Sequence, residues 1–473
     1  MASDGNVEFS LRGYVMDLAR ELPGACERLP APVDRRRQPE GLAAELAGQD
    51  RWPVLWGELP GSSPCGVAAN LFADRARMAA WFGAPPERLS AALLGRLAGA
   101  GRAGMRREAG QAPVRQVILH GEEVDLTALA IPRHGGAGGA VITGGLLITC
   151  DPGDGKERIC QQRALITSPT SLALPLDHHS QLSRAADAAR LRGERLRAVL
   201  WIGHHPALVL AAACLGERAE VWERLGAAIN RDLAVTPSLS FGKALCVPAE
   251  AELALEGEID PSAREEHAGF PAGNGCTAGP TPALRMEVRC LSRRAEAWWC
   301  DVVPEQLDAY QLSGVPLEVA LLDEVGRRAP SLRNVHVPPT AGGALHAYLQ
   351  LKEPRKGEAR EAILTALPVD ARLKHVFVVD DDVNIFDDRE VLWALATRSQ
   401  WERDVLIMPG LRGSRLDPLA EGGVGVKGGF DCTRPAGESY SERNAVSPSV
   451  YAEVRIEDYL DAAHLARIPV ERQ

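Results

Sequence analysis

Asp380, Asp381 and Asp382 follow the apolar run His375 to Val379, and three adjacent carboxylates invite a divalent-metal reading. Neighbouring side chains on an extended segment point to opposite faces, so the three cannot close on one ion, and a turn or helix cap accounts for them. Glu265 and Glu266 read by themselves as a solvated turn, and Lys427, within the glycine-rich Gly425 to Gly429, as an exposed loop cation. Arg163, after Ile159 to Gln162, reads by itself as a surface residue. A guanidinium is nevertheless well suited to a carboxylate, which it can hold through two parallel hydrogen bonds. The ten cysteines are scattered singly with no CxxC pair, which predicts reduced, buried thiols and not disulfides or a zinc site.

These groups need a large scaffold to bring them together. At 473 residues the chain exceeds one ordinary core, and 45% hydrophobic with 25% charged residues is a globular composition. A net charge of -10 with no dense Lys/Arg field argues against nucleic acid, and Arg35 to Arg37 reads as a solvated patch. The N-terminal residues lack the charged start and apolar run of a signal peptide, and Ala207 to Leu215 is too short to span a bilayer. A cytoplasmic protein without a membrane segment is expected.

The pattern is mostly helical from Val7 to Arg102, interrupted by an extended stretch at Pro53 to Trp56. From Val114 short β-type runs follow one another: 117–119, 141–143, 146–149, 164–166, 198–202 and 284–291, with helical stretches at Gln181 to Arg195 and Arg218 to Asn230. Such spacing suggests a barrel or sandwich. An amphipathic helix over Val315 to Arg328, apolar at Val315, Val319, Leu322 and Val325, reads as a connector. Strand, helix and strand then alternate over Leu345–Leu351, Gly357–Leu367 and His375–Val379, an α/β unit, and Ile456 to Arg467 reads as one last helix.

Several segments, in order, resemble the UbiD decarboxylase family. They are Gly121 to Leu126 with Ile131-Pro132, Ile142-Thr143-Gly144-Gly145, Val247-Pro248-Ala249 leading to Leu255-Glu256-Gly257, Val378 to Asn384, Val391 to Arg398, Asp404-Val405-Leu406, and Gly425 to Thr433. Weaker similarity covers Trp52 to Leu71. The resemblance implies an α/β (α+β) fold: an N-terminal α/β region (1–113), a split β-barrel that binds flavin (114–309), a connecting helix (310–330) and a C-terminal α/β oligomerisation domain with a terminal helix (331–473).

It also implies non-oxidative decarboxylation of an α,β-unsaturated or aromatic acid. Losing CO2 leaves electrons on carbon that no side chain holds well, so a cofactor must accept them. The family uses prenylated FMN, supplied by a flavin prenyltransferase, and the expected assembly is a homo-oligomer, dimer or hexamer. The family's carboxylate-binding arginine falls on Arg163, and its partner acid on Glu265 or Glu266, with Glu266 preferred. Thr143, Arg158, Cys160, Gln161, Gln162, His178 and Lys427 fall on cofactor-side positions.

The chain departs from the family in two places. The family's second acid aligns with Ala272, which leaves protonation to Glu266, His267 or water. The family's divalent ion (Mn or Mg) is bound by an asparagine, a histidine and a glutamate. Here the first is Arg158, the last falls on Phe241 or Gly242, and a histidine survives at His178 or His179. The metal site is expected to be degraded, with Arg158 neutralising the flavin phosphate instead. A competing reading is a family-fold subunit that has lost activity and serves as a flavin-binding or structural partner.

Overall fold

A computed structural model describes residues 8–35, 38–61, 64–99, 106–108, 111–134, 139–177, 180–216, 218, 220–268, 270, 273–276 and 279–435, and in the tail 440, 441, 443, 450, 453–465 and 467. The chain forms a large unit, Met1–Thr433, and a separate tail unit, Arg434–Gln473.

The N-terminal region is α/β. Ser10 caps the helix Leu11–Glu21 and Asp74 caps Arg75–Trp81, each accepting from backbone N–H groups of the first turn. Strands Cys26–Arg28, Val54–Glu58 and Gly66–Ala69 form its sheet, and the fourth strand, Trp298–Asp301, comes from far along the chain to pair parallel with Gly66–Ala69. The region is therefore completed by the segment that leaves the central domain. Stacking of Trp56 on Trp298, with centroids 5.6 Å apart, reinforces that junction.

The central domain is a curled half-barrel. Its sheet runs Val141–Ile142, Ala164–Ser168, Ser171–Pro175, Thr281–Arg293, Leu253–His267, Leu196–Ile202, Gly145–Cys150, Glu157–Gln161, and Val117–His120 adds to Thr281–Arg293. The chain passes from Glu157–Gln161, at one end of that order, to Ala164–Ser168, near the other, through Gln162 and Arg163 alone. Two residues reach less than about 10 Å, so the sheet must curl until its ends meet. A second sheet, Gly242–Pro248, Leu233–Ser238 and Arg106–Glu108, packs beside it. Glu256 is buried there and accepts from Ser238 Oγ and the backbone N–H of Leu239 and Ser240. The apolar stretch after His205 forms the helix Pro206–Ala213, buried on every side, and the two other helices are Gln181–Arg192 and Val221–Ile229.

The connecting helix, Leu307–Gly326, begins eight residues before the expected start at Val315. Pro316 explains the difference. Proline favours the first turn of a helix, so the periodicity invites a start beside it, yet here it sits inside and one ladder bond is missing.

The C-terminal sheet has the order Leu332–His336, His346–Leu351, His375–Asp380, Val424–Cys432, Val405–Arg412, with helices Glu358–Ala366 and Asp388–Arg398. The aspartate run is a turn: Arg398 donates to Asp380 at 2.8 Å and to both oxygens of Asp382 at 2.9 and 2.7 Å, while Asp381 is exposed. The tail is not one helix. Among its described residues a 3-10 turn, Ile456–Asp458, is followed by the short helix Ala462–Leu465, restarted where Asp461 accepts from His464 N. No helix among the described residues is long and apolar enough to cross a membrane.

Candidate active site

A cleft of about 1630 Å³ opens between the half-barrel, the connecting helix and the C-terminal sheet. An ordinary small-molecule pocket is roughly 300–1,000 Å³, so this one has room for a cofactor together with a substrate. Its floor is the seam of the half-barrel. Gly144 and Gly145 bring the chain close there: a Cβ on Gly144 would lie 2.5 Å from Cys300 O, and one on Gly145 2.9 Å from Gln162 O.

Thr143, Gln161, Gln162 and Arg163 all line the cleft. Thr143 is buried, donates to Asp301 at 3.1 Å and accepts from Val302 N at 3.0 Å, and Asp301 also meets His134 at 3.0 Å. Gln162 is pinned through its own N–H to Gly145 O at 2.9 Å and through its side-chain amide to Arg163 O and Pro175 O. The seam that carries Arg163 is thus held on both sides. Burial pulls the pKa of Arg163 down, and the carboxylates of Glu305 and Asp177 oppose that.

Other expected site residues lie elsewhere. Glu266 was expected to be buried beside Arg163, but it is exposed on the long strand Leu253–His267, opposite Pro282, and does not line the cleft. The strand runs on past the core, so its last turn of alternation carries Arg264, Glu265 and Glu266 into solvent. Arg158 was expected at a phosphate. It pairs instead with Asp154 at 2.7 Å and Glu157 O at 3.1 Å, as a four-residue separation across a tight hairpin permits. Cys160 also does not line the cleft, and burial pushes its thiol up to about 12. Side chains alternate along Glu157–Gln161, so Gln161 and Cys160 cannot share a face. His178 and His179, and Ala272, fall outside the described residues.

Lys427 is buried behind the cleft wall. Its ammonium donates to the carbonyls of Leu367, Asp370 and Ala371 at 3.3, 3.1 and 3.2 Å, and burial brings its pKa down to about 8 against the opposing charge of Asp370. Asp370 and Ala371 line the cleft, so Lys427 fixes that wall from behind.

Sequence reasoning missed several groups. Asp177 accepts from Ser414 Oγ and Arg415 N, and Arg415 donates to Pro280 O, which ties the loop after Val405–Arg412 to the half-barrel. Arg372 clasps Asp370 and donates to Ser313 on the connecting helix at 2.7 Å. Arg184 and Arg412 enter the cleft from opposite domains. Glu305 stands just before the connecting helix. Little local marks these residues, because most of their partners are remote in sequence; Asp370, two residues before Arg372, is the exception.

The cleft suits a flavin. Gln161, Arg163, Arg184 and Arg412 bring donor groups for polar and anionic parts of a ligand, and Leu176, Phe270, Leu312 and Leu317 offer apolar walls. A divalent ion is not matched in the same way. Phe241 packs against the core, Gly242 has no side chain, Arg158 is a cation, and among the described residues no three His, Cys, Asp or Glu side chains converge on one point.

A split half-barrel joined by one long helix to an α/β unit, with an arginine on the barrel seam facing the cleft between them, defines an enzyme class. Residues 106–307 match the 3-octaprenyl-4-hydroxybenzoate carboxy-lyase Rift-related domain and residues 310–432 the C-terminal domain of the same enzymes. These two matches span more than half of the chain, and the chain belongs to the UbiD family. It is a UbiD-family decarboxylase. It is 29% identical to the anhydromevalonate phosphate decarboxylase of Methanosarcina mazei over 86% of this chain and 93% of that protein. Among solved structures it is similar to the UbiD-class enzyme HmfF from Pelotomaculum thermopropionicum in complex with FMN, with a TM-score of 0.83, 30% identity, and coverage of 95% of this chain and 100% of that one. An evolved dimeric form of HmfF in complex with prFMN gives 0.80 at 29% identity, covering 96% and 100%.

Proposed function

We propose that the chain removes CO2, without net oxidation, from an α,β-unsaturated or aromatic carboxylic acid, with prenylated FMN in the cleft. The observation that carries this reading is the position of Arg163 on the half-barrel seam, lining a cleft large enough for cofactor and acid. The flavin, when bound, supplies the electron sink that carbon needs once CO2 departs. The remaining work belongs to the chain. Arg163 holds the carboxylate by two parallel hydrogen bonds and fixes which bond faces the cofactor. Gln161 lies on the same strip of the floor and can donate to the cofactor's polar edge. The apolar walls at Phe270 and Leu312 keep water from the reacting carbon and favour a planar, unsaturated acid.

Similarity to enzymes solved with FMN and prFMN supports the cofactor assignment. The test is production of the protein together with a flavin prenyltransferase, followed by its visible absorption spectrum and its release of CO2 from a panel of aromatic and acrylic acids. We expect a coloured protein that decarboxylates at least one class. Arg163→Ala should lower kcat/KM by about 100-fold or more while leaving the absorption spectrum in place. A colourless, flavin-free protein that turns over none of the acids would refute the reading.

A further inference from the structure

We infer that Asp301 and His134 form a proton supply behind Thr143, whose hydroxyl hands on the proton that takes the place of CO2. The use of that proton rests on the decarboxylase reading above; the linkage of the three groups does not. Asp301 ends the strand Trp298–Asp301 and is fully buried, and His134 is nearly so. His134 Nε2 meets Asp301 Oδ1 at 3.0 Å. Thr143 Oγ1 donates to the same oxygen at 3.1 Å and accepts from Val302 N at 3.0 Å. On its outer side His134 Nδ1 lies 3.9 Å from Glu40 Oε2, and the Glu40 side chain is 33% exposed. A line of ionisable groups therefore runs from the surface to the cleft floor.

Strand register sets the inner end of that line. Ile142 pairs antiparallel with Ala164, so the next residues, Thr143 and Arg163, face each other across the seam, and both line the cleft. A carboxylate held by Arg163 thus departs beside the Thr143 hydroxyl. The acids that the sequence suggested for protonation do not compete for this duty: Glu266 is exposed away from the cleft, and position 272 is an alanine.

A hydroxyl has one hydrogen and two lone pairs. While Asp301 is ionised, the Thr143 hydrogen points to it and one lone pair takes the Val302 N–H. Once Asp301 is protonated, Asp301 and Val302 fill both lone pairs, and the hydrogen is turned to the cleft. The carbon that keeps the electron pair of the lost CO2 takes that hydrogen, Thr143 takes one from Asp301, and Asp301 takes one from His134. The imidazole is recharged from solvent past Glu40 between turnovers, so one proton enters for each CO2 that leaves. Burial would lower the imidazole pKa, yet Asp301 and Glu40 hold it above the ordinary value, which keeps a proton in store. The other ionisable groups beside Asp301 are the buried Cys300 thiol and Asp308, whose carboxylate is engaged by Phe72 N and Val303 N. Among the described residues Asp301 Oδ2 and His134 Nδ1 are buried without a hydrogen-bond partner, open positions that a purely structural pair would fill.

The experiment follows a single turnover of flavin-loaded wild type, Asp301→Asn and His134→Gln, with CO2 and product measured separately. Both variants should release one CO2 per site at the wild-type rate, while product appears about 100-fold more slowly. Thr143→Ser keeps the hydroxyl and should form product at the wild-type rate, and Thr143→Val should match the slow variants. In protein loaded with FMN, NMR should show His134 titrating above the ordinary imidazole range in wild type and below it in Asp301→Asn. Product formed at the wild-type rate in Asp301→Asn and His134→Gln would overturn the inference, and so would CO2 and product slowed together, the mark of a structural pair. If wild type decarboxylates none of the acids, the decarboxylase reading fails. In that case a His134 titration lowered by Asp301→Asn upholds the linked pair, and an unmoved one sinks it as well.

Discussion

Ser414 Oγ donates to Asp177 Oδ2 at 2.5 Å, and this contact joins the loop after Val405–Arg412 of the C-terminal sheet to the half-barrel at the edge of the cleft. The neighbouring bonds, Arg415 N to Asp177 and Arg415 to Pro280 O, make the tie a small network and not a single contact. Asp177 also belongs to the acids around Arg163, so one carboxylate serves both cleft closure and cleft charge. Asp177→Ala should therefore act on retention of the cofactor as well as on turnover. Losing a charge-assisted acceptor costs about 1.5–3 kcal/mol, which predicts flavin dissociation about ten to a hundred times faster. Stopped-flow release into excess apo-flavodoxin-type acceptor measures it, and an unchanged rate would show that the cleft is held by other contacts.

Glu318 on the connecting helix gathers three parts of the large unit. Its carboxylate accepts two hydrogen bonds from Arg75 at 3.1 and 2.6 Å, one from Ser90, and one from Val337 N at 3.0 Å, and meets His336 at 2.9 Å. Burial alone would raise its pKa, but Arg75 and His336 outweigh that and hold it at about 2. A carboxylate lowered in the folded state adds stability that is fully present above its ordinary 4.5 and is lost as pH falls through that value toward 2. Arg75→Ala should destabilise the fold by about 3–5 kcal/mol, because it leaves a buried charge without its main partner. It should also remove most of the loss of stability below pH 4.5. Denaturant titrations of both proteins at neutral and acid pH check this, and a parallel acid limb in the variant would mean that Glu318 is not its source.

Local pattern made much of this fold readable. The runs at 117–119, 146–149, 164–166 and 198–202 all lie in strands, because alternating or β-branched side chains report their own backbone, and the strand, helix, strand alternation after Leu345 likewise. Pairing between distant segments left no such trace. Nothing around Trp298 to Asp301 announces that these residues complete the N-terminal sheet. The helix Pro206–Ala213 has no polar face to give it a period, and Pro316 hid the true start of the connecting helix. The site divides along the same line. Arg163, which lines the cleft, was singled out by its resemblance to a known pattern. Glu305 was not, because its partners at Gly273 and Gly275 come from another element and its own neighbours in sequence carry no signal. Arg158 pairs with an acid only four residues away, Asp154, a local contact that the family register did not indicate.

One face of the C-terminal sheet carries an exposed apolar stripe. Val424, Val426, Gly428 and Phe430 share a side of their strand; Ile407 lies opposite Gly428 on the edge strand, and Trp401 packs edge-on against Phe430. Trp401 and Ile407 are 75% and 72% exposed, far more than isolated surface residues require, and they form one stripe with Val426 at 52%. An edge strand with such a face suits pairing with a second copy of the chain, and the prediction is that any self-association runs through this stripe. Ile407→Lys with Val426→Lys places two charges in the stripe without touching the sheet's interior face, where Lys427 and Leu406 pack. Light scattering should show the mass of the variant reduced to that of a smaller assembly, with circular dichroism unchanged. Wild type and variant of equal mass would place the interface on another surface, and a cleft that kept its flavin and its activity in the smaller species would show that each copy carries a complete site.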